Sequence, residues 1–101
     1  MAFDPPPAPI WPRNARAACA FTFDLDAETL WMARGIHEPV TLSQGRFGPV
    51  EALPRILALL RTHEIRASFF IPAWVAEHYQ DAVRAIVDGG HEIGCHGDEH
   101  E

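Results

Sequence analysis

Basic charge is scarce in this sequence. Eight lysines and arginines face fourteen aspartates and glutamates, which gives a formal net charge of −6 at pH 7. Nucleic acids and anionic membranes are therefore not expected as partners, because binding to either needs a basic surface. A neutral or cationic substrate fits this charge better.

Long hydrophobic runs are also missing. No apolar stretch approaches the roughly 18 residues that are needed to span a bilayer. The first nine residues contain Asp4 and four prolines, so they lack the positive region and the apolar region of a secretory signal. These features predict a cytoplasmic protein that does not contact a membrane.

Cysteine is rare, with only Cys19 and Cys95 in the chain. Two cysteines form no disulfide framework, and buried free thiols are the default in a reducing compartment. Strand alternation turns Cys95 away from its neighbour His96, which favours a core thiol over a zinc thiolate. The chain also has no Walker loop, dinucleotide-binding glycine fingerprint, Gly-x-Ser-x-Gly elbow or Cys-x2-Cys pair.

The composition is that of one soluble globular domain, with 48% hydrophobic and 22% charged residues in a chain of 101. Residues 1–16 hold five of the nine prolines, and proline fixes φ and removes a backbone donor. This segment is predicted to be an extended arm, which Ile10 and Trp11 could pack onto the body. Residues 17–101 form the predicted domain.

Apolar periodicity in residues 17–101 predicts an α/β fold. Strands are expected over residues 17–26, 65–71 and 91–96. One helix is expected to begin near Glu51, and a second to cover residues 73–88 with a break near Tyr79. The β-α-β-α-β order predicts parallel strands with right-handed helical crossovers.

Two of these segments have further predicted features. The first strand is apolar on both faces until its end, which is typical of a central strand. Residues 27–48 contain Gly35, Pro39, Gly45 and Gly48, which predict a long connecting loop. Loops of this length usually lie over a functional site.

The ends of the first and third predicted strands carry the candidate site. Asp24 and Asp26 lie two apart and therefore face the same side, and His96 ends the third strand. The carboxyl ends of parallel strands meet at one face of the sheet. With His100 four residues beyond His96, one carboxylate and two imidazoles can converge on a divalent metal if this segment turns like a helix. Three protein ligands leave positions open for water and substrate, and Asp24 can then accept a proton.

Each of these residues has an ordinary structural alternative. A His-x3-His pair often occurs by chance, and Asp-x-Asp at a strand end often caps the following turn. Glu28 is expected to cap or orient the first loop. His91 is expected beside the site or on the surface, and solvated or packed roles are expected for His37, His63 and His78. Three aromatic residues, Trp31, Phe47 and Trp74, could line a groove for sugar rings, but buried packing is the commoner explanation.

The sequence resembles the polysaccharide deacetylase group (NodB homology, carbohydrate esterase family 4). It is most similar to the intracellular branch, which has peptidoglycan-deacetylase-like and allantoinase-like members. The motifs that carry the resemblance are Thr22-Phe23-Asp24-Leu25-Asp26-Ala27-Glu28, Arg46-Phe47-Gly48-Pro49, Ala67-Ser68-Phe69-Phe70-Ile71-Pro72 and Gly90-His91-Glu92-Ile93-Gly94, followed by His96 and His100. The match extends over nearly everything from Pro12 onward.

The resemblance implies an incomplete, N-terminal portion of a distorted (β/α) barrel. It also implies metal-dependent hydrolysis of a non-peptide C–N amide bond, typically the N-acetyl group of a sugar or polysaccharide, so a carbohydrate or small amide is the expected substrate. By position, Asp24 resembles the general base. Asp26, His96 and His100 resemble the metal ligands, which usually hold Zn²⁺.

Two departures from the family pattern leave other interpretations open. Asp98-Glu99 stands between the histidines where such proteins generally carry an aromatic or apolar residue. The family's later strands, with an arginine that orients the base and a histidine general acid, have no counterpart in these 101 residues. The alternatives are a truncated, catalytically inactive metal-binding remnant and a module that forms a homo-oligomer through the exposed edge of its sheet.

Overall fold

The computed structural model describes residues 3–101. Three parallel strands form one sheet: β1 covers Thr22–Asp24, β2 covers Ser68–Ile71 and β3 covers Glu92–Cys95. The order in the sheet is β1-β2-β3, so β2 is the central strand. The predicted α/β fold with parallel strands is confirmed, and the sheet is not closed within the part of the chain that is described.

The prediction that the first strand is central is wrong. β1 pairs on one side with β2, and its ladder begins at Thr22 although apolar residues extend back to Ala17. Residues 17–21 are exposed, and among them Phe21 makes the contact with β2, where its carbonyl accepts the Ser68 N–H at 3.0 Å. A sequence that is apolar on both faces shows what a strand can bury, but it does not show how many neighbours the strand has.

Five α-helices connect and flank the strands. They are α1 (Thr29–Ala33), α2 (Pro39–Gln44), α3 (Leu53–Thr62), α4 (Ala73–His78) and α5 (Gln80–Asp88). The chain also makes a 3₁₀ turn at Pro12–Asn14 and a π-helical turn at Gly48–Ala52, which leads directly into α3.

The prediction of a long connecting loop over residues 27–48 is wrong, because α1 and α2 lie within it. Gly35 has φ +74°, and it follows the end of α1, where a left-handed residue commonly stops a helix. Pro39 is the first residue of α2, where its missing N–H needs no partner. The glycine and proline that suggested a loop therefore mark the ends of short helices.

The helices after this segment lie close to their predicted places. The helical turn ahead of α3 starts at Gly48, slightly before the expected start near Glu51, and Pro54 lies in the first turn of α3 itself. The predicted break near Tyr79 is confirmed. Tyr79 has φ −127° and ψ 55° and separates α4 from α5.

The core lies on one face of the sheet. Phe69 and Ile71 of β2 point into it, and the Phe23 ring stacks on Phe69 with 5.1 Å between ring centroids. The other buried apolar residues lie just after β1, in α3, just before β2, in α4 and in α5: Leu25, Leu53, Leu60, Ala67, Val75 and Ile86. On the other face Phe70 is partly exposed and lies across Gly94, where a Cβ would be only 2.6 Å from the ring.

Two predictions about packing are wrong. Ile10 does not pack on the body, since 98% of its surface is exposed. Cys95 aligns with buried Ile71 in the sheet, yet it is exposed, because β3 lies at the sheet edge, and Cys19 is exposed as well. The boundary of the arm at residue 16 stays a prediction. Within residues 3–101, none of the helices is long and apolar enough to cross a membrane.

Candidate metal centre

The first half of the candidate site is the turn that follows β1. The Leu25 N–H donates to the Phe70 carbonyl at 2.9 Å, which extends the β1–β2 pairing by one residue. The chain then turns at Ala27, where φ is +49°. Thr29 fixes this turn, because its N–H and its hydroxyl both donate to the Asp26 carbonyl, at 3.0 and 2.6 Å. The backbone that carries Asp26 is therefore held in place.

The second half is the loop that follows β3. His96 donates its N–H to the Ile71 carbonyl at 3.3 Å. The carbonyls of Gly97 and Asp98 accept from the first two N–H groups of α4, Ala73 and Trp74, at 3.0 Å each. The loop is thus attached to both the central strand and the start of α4.

A tight turn brings the second histidine back toward the first. Gly97 and His100 have φ of +74° and +68°, so the segment is not a helix. The Glu101 carboxylate accepts from the N–H groups of Asp98 and Glu99, at 2.9 and 2.6 Å. These donors hold the pKa of the Glu101 carboxyl below its ordinary value. The centroids of the His96 and His100 rings lie 4.7 Å apart, and the two ring planes are nearly perpendicular.

The structure brings the three predicted ligands together. Oδ1 of Asp26 lies 3.4 Å from Nε2 of His96, and Oδ2 of Asp26 lies 3.4 Å from Nε2 of His100. One ligand atom from each residue lies within 4.8 Å of the other two. Two imidazole nitrogens with one carboxylate oxygen are a donor set that suits zinc and similar divalent ions.

Two atoms of this group make no hydrogen bond. Oδ1 of Asp26 and Nε2 of His96 are shielded from solvent without a hydrogen bond in the structure. Burying polar atoms without partners is costly, and native structures rarely leave them so. A cation between these atoms would satisfy both, so the residues fit the metal that the sequence implies.

Asp24, the predicted general base, lies beside this group. Its Oδ2 is 3.9 Å from Nε2 of His96, and its side chain is 57% exposed. A carboxylate in this position can contact a substrate at the site. It does not belong to the converging group of three ligand atoms. Asp98 and Glu99 are exposed, and the converging group does not include their side chains.

The other predicted residues lie elsewhere. His91 has a packing role, since its Nδ1 accepts the Ala67 N–H at 3.0 Å and its ring meets the Phe69 ring edge-on. His78 stacks on Trp74 with centroids 3.9 Å apart. His37 and His63 are exposed, Trp31 and Trp74 are half-buried, and Phe47 is 61% exposed, so buried packing does not explain Phe47.

One buried polar pair next to the site was not predicted. Glu28 is only 8% exposed, and its Oε1 accepts a hydrogen bond from the Tyr79 hydroxyl at 2.5 Å. Burial, followed by the hydrogen bond and the charge of Glu28, raises the pKa of Tyr79 to about 12, with a small opposing effect from Arg46. Glu28 was expected to cap or orient the first loop, and only the predicted helix break near Tyr79 marked its partner as unusual.

Comparison with known proteins shows which family the chain resembles. The family model for polysaccharide deacetylases matches residues 46–101. A peptidoglycan deacetylase of Helicobacter pylori is 34% identical over 84 residues, which cover 81% of this chain and 29% of that protein. A peptidoglycan-N-acetylglucosamine deacetylase of Bacillus cereus is 39% identical over 54 residues, which cover 52% of this chain and 20% of that protein.

A solved structure extends the similarity to the fold. The crystal structure of a Mycobacterium smegmatis protein, provisionally named a polysaccharide deacetylase, superposes with a TM-score of 0.80 and 36% identity. The alignment covers 95% of this chain and 35% of that one. The chain therefore spans about a third or less of the length of these relatives. Since the family model covers more than half of the chain, the chain belongs to the polysaccharide deacetylase family.

Proposed function

We propose that this chain provides the metal-binding part of a hydrolase that removes the N-acetyl group from an amino sugar. The observation that carries the proposal is the convergence of Asp26, His96 and His100, whose ligand atoms lie within 4.8 Å of one another. Family membership supports the reaction class, and the unpartnered atoms of Asp26 and His96 support a cation at this place.

In this proposal the three side chains hold a zinc ion. When bound, zinc supplies a Lewis acid that polarises the amide carbonyl and lowers the pKa of water toward neutrality. Asp24 accepts the proton of the water that attacks the carbonyl carbon. The C–N bond then breaks, acetate leaves, and the sugar nitrogen takes up the proton that Asp24 had accepted and becomes an amine. Asp24 suits this task because it lies next to His96 and remains open to substrate.

The substrate class comes from the relatives and the charge of the chain. The Helicobacter pylori relative is named for peptidoglycan and the Bacillus cereus relative for peptidoglycan N-acetylglucosamine. An N-acetylated sugar polymer is therefore the proposed substrate. The net charge of −6 also suits a product that gains a cationic amine.

The placement of cavities favours a second candidate function, metal binding without turnover. An apolar cleft of about 920 Å³ lies between α3 and α5 and is lined by residues such as Leu53, Leu57 and Ala85. None of Asp24, Asp26, His96 or His100 lines it. A groove wall next to the metal ligands would have to come from outside the described residues for a polymer to be held there.

Zinc titration calorimetry tests the metal site. The wild-type chain is expected to bind one zinc ion, and Asp26→Ala and His100→Ala are expected to abolish this binding. His63→Ala is the matched control, because it removes an exposed histidine outside the site. Unchanged binding in both site variants would refute the proposal.

Acetate release from an N-acetylglucosamine oligomer separates the two candidate functions. The deacetylase proposal expects zinc-dependent release that Asp24→Asn lowers by roughly 100-fold or more, with zinc affinity little changed. Zinc binding with no acetate release from the wild-type chain would instead support the metal-binding alternative.

A further inference from the structure

The two ligand-bearing segments of the candidate site are both attached to α4. At the start of this helix, the N–H groups of Ala73 and Trp74 donate to the carbonyls of Gly97 and Asp98, in the loop between the histidines. At its end, the hydroxyl of Tyr79 donates to Glu28, two residues after Asp26. One short helix thus connects segments that are about 70 residues apart in sequence.

The contact at the Tyr79 end is part-buried and short for a side-chain hydrogen bond. The hydroxyl and the Glu28 carboxylate are 2.5 Å apart, and hydrogen bonds to charged acceptors are shorter and stronger than neutral ones. The second oxygen of Glu28, Oε2, is buried without a hydrogen bond. Tyr79 is therefore the hydrogen-bond donor to this carboxylate in the structure, and losing it would leave a buried charge with no partner.

The turn held by this contact has little freedom. Ala27 adopts a left-handed conformation, and Thr29 holds the Asp26 carbonyl from the other side. The backbone of residues 27 and 28 also lies against Gly45, where a Cβ would come within 2.6 Å of Ala27 C and Glu28 N. Movement of Glu28 therefore moves the turn that aims the Asp26 carboxylate.

We infer that Glu28 and Tyr79 are positioning residues for the metal centre, and that α4 sets the distance between Asp26 and the two histidines. This inference rests on the proposed function, because it assigns a role toward the cation held by those three side chains. Ligand atoms must be held close to their final positions for tight binding, and partners that orient a ligand typically contribute 10–100-fold to metal affinity.

The test compares zinc affinity in variants that remove the contact. Tyr79→Phe keeps the ring and deletes the hydroxyl, and Glu28→Gln keeps the size and deletes the charge. Each is expected to weaken zinc binding by roughly tenfold or more and to change the visible spectrum of the cobalt-loaded chain. Thr41→Val is the matched control, since it removes an exposed hydroxyl that donates to the carboxylate of Glu38. It should leave affinity and spectrum unchanged.

The outcomes separate this inference from the proposed function. If wild-type chain binds zinc and Asp26→Ala abolishes binding, while Tyr79→Phe and Glu28→Gln bind as wild type with the same cobalt spectrum, the positioning role is refuted and the metal site stands. If wild-type chain binds no zinc, both are refuted.

A measurement on the wild-type chain covers the case in which the variants do not fold. Tyr79 is the single tyrosine of the chain, so tyrosinate absorbance follows this hydroxyl alone. Ionisation near pH 12 is expected for the buried pair. Ionisation at the ordinary value of a free tyrosine would show that the Glu28 contact is absent and would overturn the inference.

Discussion

Oδ1 of Asp26 and Nε2 of His96 lie 3.4 Å apart, and both are shielded from solvent without a hydrogen bond. Neither atom has gained a hydrogen bond for the water it lost, and their contact with each other offsets only part of that cost in the metal-free chain. A cation that binds both atoms reverses this cost. The relationship between these two residues therefore links the stability of the chain to the occupancy of its site.

Asp26→Asn separates metal binding from folding. The amide keeps the shape of the side chain and removes its charge, so zinc binding should be lost. The metal-free variant should be as stable as wild type within about 1 kcal/mol, because partly exposed ion pairs, such as those of Asp26 with His96 and His100, contribute little to stability. Urea unfolding in the presence of a chelator measures this. A loss of more than about 2 kcal/mol would show that the carboxylate supports the fold without metal.

Zinc should stabilise the folded chain by mass action. A ligand that binds only the native state adds about 2.7 kcal/mol at a free concentration 100 times its dissociation constant. The melting temperature should therefore rise with zinc in wild type and in the His63→Ala control, but not in His100→Ala. An equal rise in His100→Ala would mean that zinc binds somewhere else.

Tyr79 makes the stability of the chain fall at high pH. Its pKa is raised from 10.0 to about 12 in the native state, so the native state holds this proton more tightly than the unfolded state does. The stabilisation is fully present below pH 10 and is lost as the pH rises through about 12. Because the chain contains no lysine, few other groups titrate in this range.

Denaturant unfolding at several pH values measures this effect, with Tyr79→Phe as the reference. In wild type the unfolding free energy should fall as the pH rises above 10, and in Tyr79→Phe it should fall less steeply. Identical slopes in the two proteins would contradict the raised pKa.

Gly45→Ala should destabilise the chain by roughly 1–3 kcal/mol, as overpacking of a tight contact does. The new methyl group would lie 2.6 Å from the backbone of Ala27 and Glu28, which cannot move as a flexible side chain can. Gly48→Ala is the control, because its nearest neighbour would be a Leu25 methyl at 3.9 Å. Chemical denaturation measures the free energy of unfolding of both variants. Equal values would show that the backbone of residues 27 and 28 moves aside at little cost.

The sequence located the candidate site because few arrangements of its strands are possible. Parallel strands place their carboxyl ends together, so Asp24 and Asp26 after one strand had to lie near His96 after another. The family and the α/β fold are confirmed by the comparisons. The roles of Asp24 as base and of Asp26, His96 and His100 as zinc ligands stay predictions, as does the cytoplasmic location.

What the sequence could not supply depended on neighbours distant in the chain. Nothing near Cys95 shows that its strand is at an edge, so its exposure was missed. The helices α1 and α2 are too short for periodicity to outweigh the glycines and prolines at their ends. Glu28 and Tyr79 are 51 residues apart, and only the folded chain shows that they share a hydrogen bond.

X-ray absorption spectroscopy of the zinc-loaded chain tests the metal site most directly. The account predicts a first shell of nitrogen and oxygen only in the wild-type chain, with the outer-shell signature of two imidazoles. A sulfur shell near 2.3 Å, or a first shell without the imidazole signature, would contradict it.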